Sequence, residues 1–255
     1  MADDETLILS DIREEAKRLA EATVTLGLSA RLIGGLAIWI RCPSVHSGPF
    51  ARSYDDMDFA ISAASSTKFK ALLMTQGYVP DQFFNGLHGA TRLYYSEPAG
   101  RWSIDVVIDE LAMSHSLDLR GRLDGPAPTI TLADLLLTKL QVWEINRKDL
   151  GDTLCLLADH ALSDDDTAVE AISLPRVRAV LGKDWGFCHT VERNLQRVAA
   201  LWSQEPLPGA AHDVASQVTA LRDAIEAAPK SRAWRLRSRV GERIRWYETP
   251  EEVKH

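Results

Sequence analysis

The chain has 255 residues and a net charge of −7, room for one large domain or two modest ones, and its apolar and charged fractions are ordinary for a soluble globular protein. No apolar run approaches the roughly 20 residues that span a bilayer, which speaks against a membrane protein, and the acidic opening MADDETLILS lacks the basic-then-apolar order of a signal peptide. Cys42, Cys155 and Cys188 are odd in number and far apart, so free thiols in a reducing cytoplasm are expected, not a disulfide framework or a zinc site.

In chain order, Ile12, Ala16, Leu19, Ala20 and Thr23 fall at helical spacing and predict a helix over 10–25. ARLIG (30–34) reads as a buried strand, and GLAIWIRC (35–42) as a helix restarting after a glycine pair. CPSVHSGPFARS reads as a loop. MDFAIS (57–62) is strand-like, and Ser65 is the expected cap of a helix ending at Gly77. ATRLYYSE and RWSIDVVIDEL predict a hairpin turning at PAG, with LDLRGRL a candidate third strand. After residue 129 the pattern turns helical, over 131–145, 148–161, 175–182, 188–203, 211–227 and 231–246, with loops at 162–166 and 204–210. The expected class is α+β: a mixed β-sheet flanked by helices over 1–125, then an all-helical domain over 126–255.

Four constellations carry potential chemistry. Gly34 and Gly35 lie between a strand and a helix, where a backbone open to close approach meets the free N–H groups of a helix N-terminus. Such a turn suits phosphate, though a tight turn alone also explains it. Asp56 and Asp58 share one face of a strand by its two-residue period, with Met57 turned the other way. Carboxylates aimed together repel unless a cation or proton lies between them, and Mg²⁺ takes such oxygen ligands. A solvated acidic turn is the plainer alternative, which Asp55 fits. Asp105, inside apolar SIDVVI, would complete a three-carboxylate cluster if its strand lay beside 57–62; otherwise it is a strand-end residue at solvent. Lys139 falls in the middle of the stripe made by Leu132, Leu135, Leu136, Leu140 and Trp143. It needs a phosphate or carboxylates as partner unless it snorkels to the stripe's edge. Asp149 and Asp152 begin the next helix, as dipole-complementing caps or as orienters of Lys139 or Arg147.

The segment from Lys230 to Arg245 carries Lys230, Arg232, Arg235, Arg237, Arg239, Arg243 and Arg245 against Glu242, a charge of +6 that leaves −13 for the rest. It reads either as a polyanion contact or as arginines lying over their own protein.

The order of these signals, IGGLAIWI, then RSYDDMDFAI, then a strand with a single Asp, resembles the polymerase-β-like nucleotidyltransferase superfamily. DLLLTKLQ and NRKDLGDTL resemble the lysine helix and late acidic motif of its AbiEii/AbiGii-type toxin family. The resemblance implies a metal-dependent enzyme transferring NMP from an NTP to a hydroxyl acceptor. Gly34 and Gly35 would hold the triphosphate, and Asp56, Asp58 and Asp105 would bind Mg²⁺ (or Mn²⁺). Lys139 would face phosphate, and Asp149 or Asp152 would match the late motif. It also implies tRNA or a small hydroxylated, antibiotic-like molecule as acceptor, and an antitoxin as partner. A non-catalytic nucleotide- or nucleic-acid-binding protein of the same fold is the alternative. Two departures stand out: a long gap between Gly35 and Asp56, and Tyr54 where the family often has Thr or Ser.

Overall fold

The computed structural model describes residues 8–249; residues 1–7, on which the reading of the N-terminus partly rests, lie outside them. The chain divides into two compact units that interleave in sequence. The first holds residues up to Ile40, Arg52–Leu111 and Asp118–Ile130; the second holds Arg41–Ala51, Ala112–Leu117 and the chain from Thr131.

The first unit is built on a five-stranded mixed sheet. In chain order its elements are α1 (Ile12–Thr25), β1 (Ala30–Ile33), α2 (Gly34–Arg41), β2 (Asp56–Ile61), α3 (Ser66–Thr75), β3 (Val79–Pro80), α4 (Gln82–His88), β4 (Arg92–Ser96) and β5 (Ser103–Ile108). The spatial order is β1-β2-β5-β4-β3. Only β2 and β5 run parallel; the other pairs are antiparallel. Alternation sorts the faces. Met57, Phe59 and Ile61 of β2, Ile104, Val106 and Ile108 of β5, and Leu93 and Tyr95 of β4 are buried on one side, where Phe69 of α3 meets Phe59 at 5.3 Å between ring centres. Asp58, Asp105, Arg92 and Tyr94 remain half-exposed on the other.

The second unit is mostly helical: α5 (Leu132–Leu140), α6 (Arg147–Asp159), α7 (Leu174–Leu181), α8 (Trp185–Gln204), α9 (Val214–Ala227) and α10 (Arg232–Val240). All residues of α5 are buried, so the helix has no solvent-exposed face. It ends before the predicted 145 because Asn194 Nδ2 donates to the carbonyls of Leu140 (2.9 Å) and Val142 (2.8 Å), satisfying groups the helix would otherwise continue to use. Trp143 therefore lies beyond the helix, outside the stripe expected to contain it.

Other differences are local. Ser65 does not cap α3 with its side chain; its Oγ accepts from Ser29 N instead, and Ser62 caps a preceding 3-10 turn. LDLRGRL supplies only the end of a short strand, Ser116–Asp118, and α4 was not foreseen. The final helix stops at Val240, where Gly241 takes φ +59°. The three cysteines are free and buried. Among the described residues no helix is long and apolar enough to cross a membrane.

Candidate active site

In the first unit, β1 ends at Ile33 and α2 starts at once, which requires a reversal of the backbone at Gly34 with φ +70°. A left-handed residue there favours glycine. A second constraint is steric: a β-carbon at position 34 would lie 1.9 Å from Asp58 Oδ2 and 2.8 Å from its Cγ. The absent side chain is the space into which the Asp58 carboxylate fits. Register explains why it lies there, since Ile33 pairs with Asp58 across the antiparallel β1–β2 ladder.

Gly35 is enclosed from another side. A β-carbon there would lie 2.9 Å from Arg52 Nη2 and 3.0 Å from Tyr54 Cε1. The Arg52 guanidinium lies 5.0 Å from the centre of the Tyr54 ring, so the pair folds together over the glycine turn. The sequence reading noted Tyr54 only as a departure from the family pattern and passed over Arg52, because proximity to Gly35 is a tertiary fact with no periodic signature.

Across the parallel β2–β5 ladder, Asp58 pairs with Asp105 and Asp56 with Ser103. Asp56, Asp58 and Asp105 therefore belong to one face, as the sequence reading required. Like charges directly across a ladder repel. Arg92 of β4 offsets this for Asp105: its Nε donates to Asp105 Oδ1 at 2.8 Å, and its Nη2 makes a second bond to Oδ2. Hydrogen bonding to Asp105 is the main cause that holds the Arg92 pKa above the ordinary arginine value; burial opposes it, and the charge of Asp58 adds to it. Arg92 is a site residue the sequence reading passed over. Its place, one strand away and two residues off register from Asp105, emerges only once the hairpin pairing is known.

Among the described residues no three His, Cys, Asp or Glu side chains are gathered closely enough to hold a metal ion as they stand. The third carboxylate is turned to Arg92. Asp56 and Asp58 are hard oxygen donors on one face, a set that fits Mg²⁺ or Mn²⁺; Asp105 would join by exchanging its bidentate arginine.

In the second unit, Lys139 is buried and its ammonium meets Asp149 Oδ1 at 2.8 Å and Asp152 Oδ2 at 2.9 Å. Burial pulls the lysine pKa down, but the two carboxylates outweigh it and hold it above the ordinary value. The anion that this lysine called for is thus a carboxylate pair, and Lys139 does not snorkel. Asp149 has a second role. Its backbone N–H donates to Asn146 Oδ1 at 2.9 Å, while Asn146 Nδ2 donates back to Asp149 Oδ2 at 3.0 Å, a reciprocal cap of α6.

No protein-family model matches the chain, and no curated protein does. Solved structures similar to it include a lincosamide antibiotic adenylyltransferase, LnuA, bound to lincomycin (13% identity, TM-score 0.40, 58% of this chain and 96% of that one). Two others are an antigenic nucleotidyltransferase-like protein from Paracoccidioides brasiliensis (15%, 0.40, 89% and 97%) and a putative nucleotidyltransferase from H. pylori (11%, 0.33, 90% and 98%). Likeness at this level carries no functional argument, so function rests on the chain's own geometry.

Proposed function

We propose that the chain is a divalent-metal-dependent nucleotidyltransferase that moves NMP from an NTP to an acceptor hydroxyl. The observation that carries this reading is the Asp58 carboxylate seated against Gly34 at the start of α2, in register with Asp105 on the neighbouring strand. An anion-binding helix start and acidic strand ends then adjoin, the pairing that a metal-bound triphosphate needs.

Asp56 and Asp58 would hold Mg²⁺ or Mn²⁺, with Asp105 as further ligand or as general base toward the acceptor hydroxyl. When bound, the metal would neutralise charge on the attacking and leaving oxygens. The backbone N–H groups at Gly34 and Gly35 would meet phosphate once a metal draws the Asp58 carboxylate to itself, and Arg52, packed against Gly35, would add a cation beside that turn. Arg92 holds Asp105 until a competing cation arrives. Lys139 with Asp149 and Asp152 secures α5 to α6; contact with phosphate would require it to share its donors. Membership of the AbiEii/AbiGii-type toxin family, with tRNA as acceptor and an antitoxin as partner, is the finer form of the proposal. It is supported by the order of motifs alone.

The test is incubation with each α-labelled NTP, Mg²⁺ and either total RNA or small hydroxylated acceptors. Label should reach one acceptor class with the native protein and none with Asp58→Ala. Absence of label on every acceptor would count against transfer.

A further inference from the structure

The second unit carries a surface to which the proposed transfer assigns no residue. After α10 the chain turns at Gly241 and lays Trp246 and Tyr247 back on α8. Gly186 permits this approach, since a β-carbon there would lie 2.7 Å from the Trp246 carbonyl oxygen. Trp246 then meets Trp143 (4.8 Å), His189 (5.0 Å) and Trp185 (5.9 Å) edge-on, while Tyr247 stacks on Trp143 at 4.6 Å. Cations sit on the faces of these rings: Arg193 over Trp143 at 3.7 Å, Arg245 over Tyr247 at 4.7 Å, and Arg237 over Trp185 at 4.8 Å.

Rings that served only as core would be buried. Trp143, Trp185, Trp246 and Tyr247 are all half-buried instead. Trp246 is a shared wall between two open cavities. One, of about 580 Å³, is also lined by Trp185, Trp234, Arg237 and Arg245, with Asp184 and Glu248; the other, of about 520 Å³, by Trp143, His189 and Arg193, with Glu192 and Glu242. Beside them α10 has no buried residue. Among the described residues Arg232, Arg239 and Arg243 are exposed and have no hydrogen-bond or ion-pair partner. The arginines are therefore not all laid over their own protein, and +6 of charge is concentrated on a chain whose net is −7.

We infer that this aromatic and arginine surface binds a single-stranded stretch of nucleic acid. Bases would enter the cavities on either side of Trp246 and stack on the guanidinium groups of Arg193, Arg237 and Arg245 that cover the ring faces, with phosphates toward Arg232, Arg239 and Arg243. Every base has a flat face and every linkage a charge, so rings and guanidinium groups together suit a single strand. A duplex would engage only the charges. An anionic membrane surface is the other candidate, but the apolar stripe of α10, Ala233, Leu236 and Val240, holds no aromatic ring and would leave the ring-lined cavities beside Trp246 unused.

The experiment is fluorescence anisotropy of a labelled single-stranded RNA of about ten nucleotides with the full chain, between about 50 and about 200 mM salt. Saturable binding is expected, with quenching of tryptophan fluorescence and a log–log salt slope of about −0.7 per neutralised phosphate. The combined variant Arg232→Gln, Arg239→Gln, Arg243→Gln changes only partnerless surface side chains. It should weaken binding by about tenfold or more and reduce the slope by about 2. Asp58→Asn should bind the RNA as the native protein does, which separates this result from the transfer reading. The inference is overturned by lack of saturable binding, by an RNA duplex binding as tightly as the single strand, by an unchanged slope in the triple variant, or by anionic vesicles that displace the RNA.

Discussion

Gly34→Ala is the sharpest perturbation of the proposed centre. Two costs are readable from the geometry. The new residue must hold φ +70°, which costs an L-residue about 1–2 kcal/mol. Its β-carbon would also sit 1.9 Å from Asp58 Oδ2, so the carboxylate must leave its place, an overpacking cost of about 1–3 kcal/mol. Together about 2–5 kcal/mol of stability should be lost, readable as a lower urea midpoint at unchanged m-value. The two costs separate in a double-mutant cycle with Asp58→Gly. Removing the Asp58 side chain relieves the collision but not the backbone strain, so the coupling should recover about 1–3 kcal/mol. A Gly34→Ala protein within about 0.5 kcal/mol of native stability, or a cycle with no coupling, would refute the claim that Asp58 is seated on the glycine turn.

Arg92→Met removes a pair that is partly exposed on both sides, so stability should fall by about 1 kcal/mol or less. Relieved of its arginine, Asp105 should strengthen Mg²⁺ binding by about threefold or more, which a Mg²⁺ titration would show; unchanged Mg²⁺ affinity would argue that Asp105 is no ligand. Lys139→Met leaves the fully buried Asp152 without its cation and should cost about 3–5 kcal/mol in thermal or urea unfolding. Because the Lys139 pKa is raised, its contribution is present in full below its unfolded pKa of about 10.4 and is lost only as pH rises through its folded value. The native urea-unfolding profile should therefore show no loss of the Lys139 contribution between neutrality and about pH 10. His115 is held by burial down to about 4, its Nε2 2.8 Å from Thr190 Oγ1 and its ring stacked on Phe187 at 5.1 Å. Protons then bind the unfolded state first, so stability should fall between about pH 6.5 and about pH 4. The loss is at most roughly 3 kcal/mol, and His115→Gln should flatten that part of the curve.

Periodicity carried the fold a long way. The two-residue period put Asp56 and Asp58 on one strand face, opposite Met57, and the ladder between β2 and β5 set Asp105 on that face with them. What sequence could not show was competition for the carboxylates. Arg92 reaches Asp105 across strands, and Arg52 and Tyr54 reach Gly35 from a loop whose path no repeat encodes. The Lys139 stripe was overextended only at Trp143: a helix buried on all sides has no solvent-exposed face to mark its limits, and its end is set by Asn194, far along the chain. The aromatic surface was equally hidden, since Trp143, Trp185 and Trp246 are brought together only by the turn at Gly241.

The most direct measurement of the central claim is calorimetric titration of each common NTP into native protein and Asp58→Asn, with and without Mg²⁺. The account predicts saturable binding by the native protein that weakens by about tenfold or more when either Mg²⁺ or the Asp58 carboxylate is removed. NTP binding that is indifferent to both would contradict it.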